Sequence, residues 1–100
     1  MIKHIVMWKL KDFAEGKNKL ENARIIKESV EGLKDKIKEI KYIEIGINSF
    51  NDPQAYDVVL ISEFENYSDL ESYQNHPEHV KVAEFISKVR EARVVVDYEV

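Results

Sequence analysis

The stretch Tyr73-Gln-Asn-His76-Pro77-Glu-His79 holds two of the three histidines in the chain. Proline suits the first turn of a helix and breaks one that precedes it. Tyr73 then ends one helix and His79 lies in the first turn of the next. A helix N-terminus disfavours a charged imidazole, which keeps His79 neutral and usable as a base. A tyrosine nearby can donate a hydrogen bond to a developing oxyanion. The competing reading is plainer: His76-Pro77 only breaks a helix, and His79 is a surface residue. His76 and His79 stand three apart around Glu78. That is not the i, i+4 spacing of a helical zinc motif, and no metal site is expected.

The third histidine, His4, lies inside an apolar strand, on the face it shares with Val6, Trp8 and Leu10. Asp97 lies on the Val95 face of the last strand. Strict alternation puts both faces under the helices. A carboxylate there needs a partner. His4 or His79 would supply one, with a ring nitrogen oriented in return; a Lys or Arg near the strand's end would serve equally. His4 itself has a structural reading, as a partly buried ring held by one neighbour. The catalytic candidates are therefore Tyr73 and His79, with His4, Trp8 and Asp97 as candidate substrate-binding residues.

One hundred residues make a single domain, 1–100, with no room for a second core. The apolar share of 44% and charged share of 34% suit a globular chain and exclude collagen and disorder. Cysteine is absent, which excludes disulfides, thiolate nucleophiles and iron–sulfur clusters. Fifteen Lys and Arg stand against 19 Asp and Glu, for a net charge of −4. A net-acidic chain without a basic cluster is a poor nucleic-acid binder. No apolar run approaches the length that spans a bilayer. The opening decapeptide is too short and too interrupted by Lys and His for a signal peptide. The expected location is the cytoplasm by default.

The elements that must position these residues follow from periodicity. Residues 2–10 read as a strand. Gly16 to Ile40 reads as one long helix, with Leu20, Ala23, Ile26, Val30, Leu33, Ile37 and Ile40 as its apolar stripe. Gly32 is a mild defect in it. Tyr42 to Asn48 alternates as a strand, Asn48 to Pro53 is a turn, and Tyr56 to Phe64 is the next strand. A short helix starts at Ser68, where Ser-Asp-Leu-Glu reads as a capping box. After the break at His76-Pro77, Val80, Ala83, Ile86 and Val89 line the inner side of another helix. Arg93 to Val100 is the last strand.

The order β-α-β-β-α-β predicts an α+β, ferredoxin-like fold: a four-stranded antiparallel sheet with helices on one face. The other face would then carry Ile5, Met7, Val59, Ile61, Val94 and Val96. So apolar a face must meet another surface, and a second copy about a two-fold axis is the simplest one. The expected partner is therefore the chain itself, as a homodimer through the open sheet face.

The opening Ile2-Lys-His-Ile-Val-Met-Trp-Lys-Leu-Lys-Asp12, Gly46-Ile-Asn48, Tyr73 to Val80 and Val96-Asp97-Tyr98, in that order, resemble the stress-responsive A/B barrel (Dabb) family. The resemblance covers essentially the whole chain and implies a dimeric α/β barrel. A plant member of that family closes a linear polyketide by intramolecular aldol condensation, with a Tyr and a His that match Tyr73 and His79. Its strand-one His matches His4 and its last-strand Asp matches Asp97. The related antibiotic-biosynthesis monooxygenases share the fold and work without metal or flavin, which implies no cofactor here. The plant cyclase lines its pocket with bulky aromatics where this chain has Asn22 to Ile26 and Arg90, which implies a smaller or anionic ligand. The expected function is to bind or cyclise a small carbonyl compound between sheet and helices. The alternatives are a non-catalytic ligand-binding or stress-protective dimer, and a cofactor-free monooxygenase.

Overall fold

The computed structural model describes all 100 residues. Its elements are β1 (Ile2–Leu10), β2 (Phe13–Ala14), β3 (Lys17–Asn18), α1 (Lys19–Glu31), a 3-10 turn (Gly32–Asp35), β4 (Tyr42–Ile47), β5 (Val58–Phe64), α2 (Tyr67–Asn75), α3 (Pro77–Val89) and β6 (Arg90–Glu99). The main sheet runs β4-β5-β1-β6, antiparallel throughout. This is the ferredoxin-like α+β fold. No helix is long and apolar enough to cross a membrane.

The long helix expected from Gly16 to Ile40 is shorter at both ends. Glu15 and Gly16 both take positive φ, 52° and 76°, and turn β2 back onto β3 as a two-residue hairpin. Asn18 then caps α1. Its side chain accepts from the Glu21 N–H, while Glu21 accepts from the Asn18 N–H. Leu20, placed in the apolar stripe, is exposed on this first turn. Asn22 is fully buried, and its Nδ2 donates to the Ala14 carbonyl at 3.0 Å, tying the hairpin to the helix. At Gly32 the helix tightens into the 3-10 turn. Leu33, Ile37 and Ile40 nevertheless stay buried. The cap of α2 is Asn66, which accepts from the Asp69 N–H, rather than Ser68.

Alternation governs β1. Ile2, His4, Val6, Trp8 and Leu10 are all buried against the helices. Two apolar clusters result. One gathers Val6, Trp8 and Leu10 with Ile26 and Val30 of α1, Leu60 of β5 and Val89 of α3. The other gathers Ile2 and Phe64 with Leu33, Ile37, Leu70 and Tyr73. Between them sit the cross-strand partners His4 and Ser62, both buried and polar. Ser62 Oγ donates to the His4 carbonyl at 3.1 Å. The polar seam thus lies in mid-sheet, where neither cluster reaches.

The outer strand β4 is held by α1. Ile45 N–H donates to Glu31 Oε2 at 3.0 Å, and Lys27 Nζ donates to the Ile45 carbonyl at 2.9 Å and to Glu31 at 2.8 Å. Partial burial works to raise the Glu31 carboxyl. The hydrogen bonds from Lys27 and Ile45, with the Lys27 charge, outweigh it and hold the group below its ordinary value.

The opposite sheet face is bare in the single chain. Met7, Val94 and Val96 are exposed, and Ile5, Val59 and Ile61 are only half-buried. The helix layer also stops short of β6. Val95 pairs with buried Val6 yet is 48% exposed, so the last strand overhangs the helices on their own side.

Candidate active site

Three elements meet over the polar seam: β1, the α2–α3 corner and β6. Asn75 ends α2 and His76 goes extended, with φ −65° and ψ 135°. Its Nδ1 accepts from the Glu78 N–H at 3.1 Å and caps α3, with Pro77 opening the first turn. His76 is therefore spent on the corner. The corner turns His79 back toward Tyr73, and their ring centroids lie 4.5 Å apart. Tyr73 is also 4.9 Å from the Phe64 ring and 6.3 Å from the His4 ring.

His79 Nδ1 lies 3.0 Å from the Gln74 carbonyl. A carbonyl only accepts, so Nδ1 carries the proton and the neutral ring keeps its lone pair on Nε2. Burial lowers the His79 pKa, and the Arg93 guanidinium adds to it; the Gln74 hydrogen bond opposes them without prevailing. Tyr73 is almost wholly buried, and burial pushes its phenol well up despite the nearby Arg93 guanidinium. The phenol is thus a proton-bearing donor at any physiological pH. Its oxygen makes no hydrogen bond within the protein, yet it is not sealed in.

Asp97 takes His4 as its partner. The two are opposed across the β1–β6 ladder, and the carboxylate accepts from His4 Nδ1. Asp97 therefore does not set the ring of His79; the Gln74 carbonyl does.

A cavity of about 270 Å³ opens over these groups. Its walls include His4, Trp8, Tyr73 and His79, brought together as the sequence predicts. Asp97 is not among them and acts from behind His4. Nor are Asn22 to Ile26; α1 contributes Val30, and Leu33 follows it. Arg90 and Arg93 complete the polar wall. Arg93 escaped the sequence reading, although alternation with Val95 and Asp97 puts it on the helix side. No three His, Asp or Glu side chains gather as a metal-holding cluster.

The arrangement can hold a neutral base, a neutral acid and a carboxylate-braced imidazole against one small apolar ligand. The comparisons agree with the architecture. The model of the stress responsive A/B barrel domain matches residues 2–100. A dimeric protein of unknown function and ferredoxin-like fold from Bacteroides fragilis is 39% identical, with a TM-score of 0.88 over 99% of this chain and 95% of that one. A dimeric ferredoxin-like protein of unknown function from Thermobifida fusca is 20% identical, with a TM-score of 0.84 over 99% and 90%. The hydroxynitrile lyase of Passiflora edulis is 19% identical, with a TM-score of 0.79 over 99% and 92%. No curated protein matches by sequence. With the family model spanning all but the first residue, the chain belongs to the stress responsive A/B barrel domain family.

Proposed function

We propose that the cavity binds a small carbonyl compound and that His79 removes a proton from the carbon beside its carbonyl. Nε2 takes the proton, and the C–H electron pair forms an enolate whose oxygen Tyr73 steadies by donating its phenolic hydrogen. Where the ligand carries a second carbonyl, the enolate carbon attacks it and a C–C bond closes the ring. The new alkoxide recovers the proton from His79, so the step needs neither oxidant nor reductant. His4, braced by Asp97, binds the ligand from the sheet side, with Trp8 as its apolar floor. The observation that carries this reading is the free Nε2 of a neutral His79 beside an unpartnered phenol in one cavity. A hydroxynitrile lyase on the same fold lends it general support.

The test is turnover of a panel of short poly-β-keto thioesters between pH 5 and 9, with His79→Ala as the blank. Cyclised product above the blank is expected; none at any pH ends the catalytic reading. Tyr73→Phe should lower kcat by about 10²–10³-fold, the usual cost of one oxyanion donor. Its melting temperature should hold, because the phenol bonds to nothing in the fold. Trp8, the single tryptophan, lines the cavity, so ligand binding without turnover is read from its fluorescence. Such a result would favour the ligand-binding role instead.

The working protein in this reading is a homodimer in the cytoplasm, paired through the face of Met7, Val94 and Val96. The exposed apolar residues there and the dimeric relatives support it. Met7→Asp with Val96→Asp should sediment as a single chain at micromolar concentration while the parent sediments as two. A parent that sediments as one chain overturns the pairing.

A further inference from the structure

The proposed chemistry leaves two charged residues of the cavity wall unused. Arg90 ends α3 and opens β6; Arg93 follows it on the same strand, and both line the cavity. Arg93 lies across the ladder from Trp8 and Arg90 from Leu10. Neither guanidinium is within 4 Å of any carboxylate; the cations of the ion pairs in this chain are lysines and His4. No Asp or Glu lines the cavity either, and Asp97 is already taken by His4. Glu91, between the arginines in sequence, is exposed outside it. This cationic wall stands in a chain of net charge −4, so the surrounding composition does not explain it. Two guanidiniums without a carboxylate partner leave this concave wall with positive charge that an anion would balance. Their planar forks match the paired oxygens of a carboxylate or phosphate. Most of the remaining lining is apolar.

We propose that Arg90 and Arg93 clamp an oxoanion at the open end of the cavity, so that the ligand is a carbonyl compound with an apolar body and a carboxylate or phosphate head. The proposal rests on the carbonyl reading of the cavity and adds the class of ligand to it. The head sits at the β6 overhang, where Arg93 is exposed and Arg90 half-buried. The carbonyl then reaches inward, toward Tyr73 and His79.

The test is titration calorimetry on the full chain with four probes: para-acetylbenzoate, para-acetylphenyl phosphate, methyl para-acetylbenzoate and benzoate. One of the two charged ketones is expected to bind about tenfold or more tighter than the neutral ester, and the tighter one names the head group. Added salt should weaken the charged probes and spare the ester. Arg90→Gln with Arg93→Gln should erase the preference, its melting curve showing that the variant is folded. Arg90→Lys with Arg93→Lys should restore part of it. If the ester binds as tightly as both charged ketones, the clamp is wrong and the carbonyl reading survives. If benzoate binds as tightly as para-acetylbenzoate, the clamp stands and the carbonyl reading loses its support. If no probe binds, both fall.

Discussion

His79→Gln is expected to cyclise short poly-β-keto thioesters at least about a hundredfold more slowly than the parent, since a positioned general base contributes about 10²–10⁴-fold. The loss should fall on kcat, because the amide still fills space beside Tyr73 but cannot take a proton. In the parent, the acid limb of the rate profile should lie below the ordinary histidine value of 6.5, the direction in which burial and the Arg93 guanidinium move this ring. Stability should carry the same signature. The unfolded chain protonates His79 near its ordinary value, while the folded chain resists until a lower pH. Stability is therefore full above about 6.5 and declines as pH falls from there toward the folded value. Melting curves at pH 7 and pH 5 should show that decline in the parent and less of it in His79→Gln. A variant with parental turnover would remove His79 as the base. A large loss of melting temperature at pH 7 would make it a structural residue.

Phe64→Ala should destabilise the fold by about 3–5 kcal/mol, the range for emptying a large aromatic site in a core. Phe64 has no exposed surface and packs at 4.9 Å against the Tyr73 ring, inside the cluster of Ile2, Leu33 and Leu70. Domains of this size are commonly stable by about 5–15 kcal/mol, so the loss is a large share of the total. The urea midpoint should fall sharply with little change in m. Tyr73 would lose one wall of its seat, so the folded fraction should also lose oxyanion stabilisation. A shift under about 1 kcal/mol would mean that the second cluster is loosely packed and that Tyr73 is positioned from elsewhere.

How far this site could be read in the sequence depended on what each signal measures. Alternation depends only on which face a side chain takes, and it placed His4 and Trp8 inward and the six open-face residues outward. The Tyr73-to-His79 corner was legible because Pro77 dictates where a helix can begin. Helical periodicity was less informative at α1. Leu33, Ile37 and Ile40 keep spacings of four and three through the 3-10 turn and beyond, so a stripe persists where the helix does not. Gly32 marks the change: it ends the α-helix rather than merely weakening it. The cap Asn18, three residues before Glu21, was a usable signal that the longer periodicity masked. Asp97 shows a different limit: its face was readable, but its choice of His4 over His79 depends on cross-strand register. Alternation puts Arg93 on the helix side, but its place in the cavity wall also depends on where the helix layer stops, which no local pattern encodes.

The clip that Lys27 and Glu31 place on Ile45 has a consequence for the company the protein keeps. A sheet margin with free amides and carbonyls is a template on which stray strands polymerise. Here both backbone groups of the middle residue along that margin are already occupied by charged side chains from the helix above. An incoming strand would have to displace an ammonium and a carboxylate to dock, and it would then stack against their charges. The chain can thus present one greasy flat side for ordered pairing while its β4 border resists the docking of stray strands.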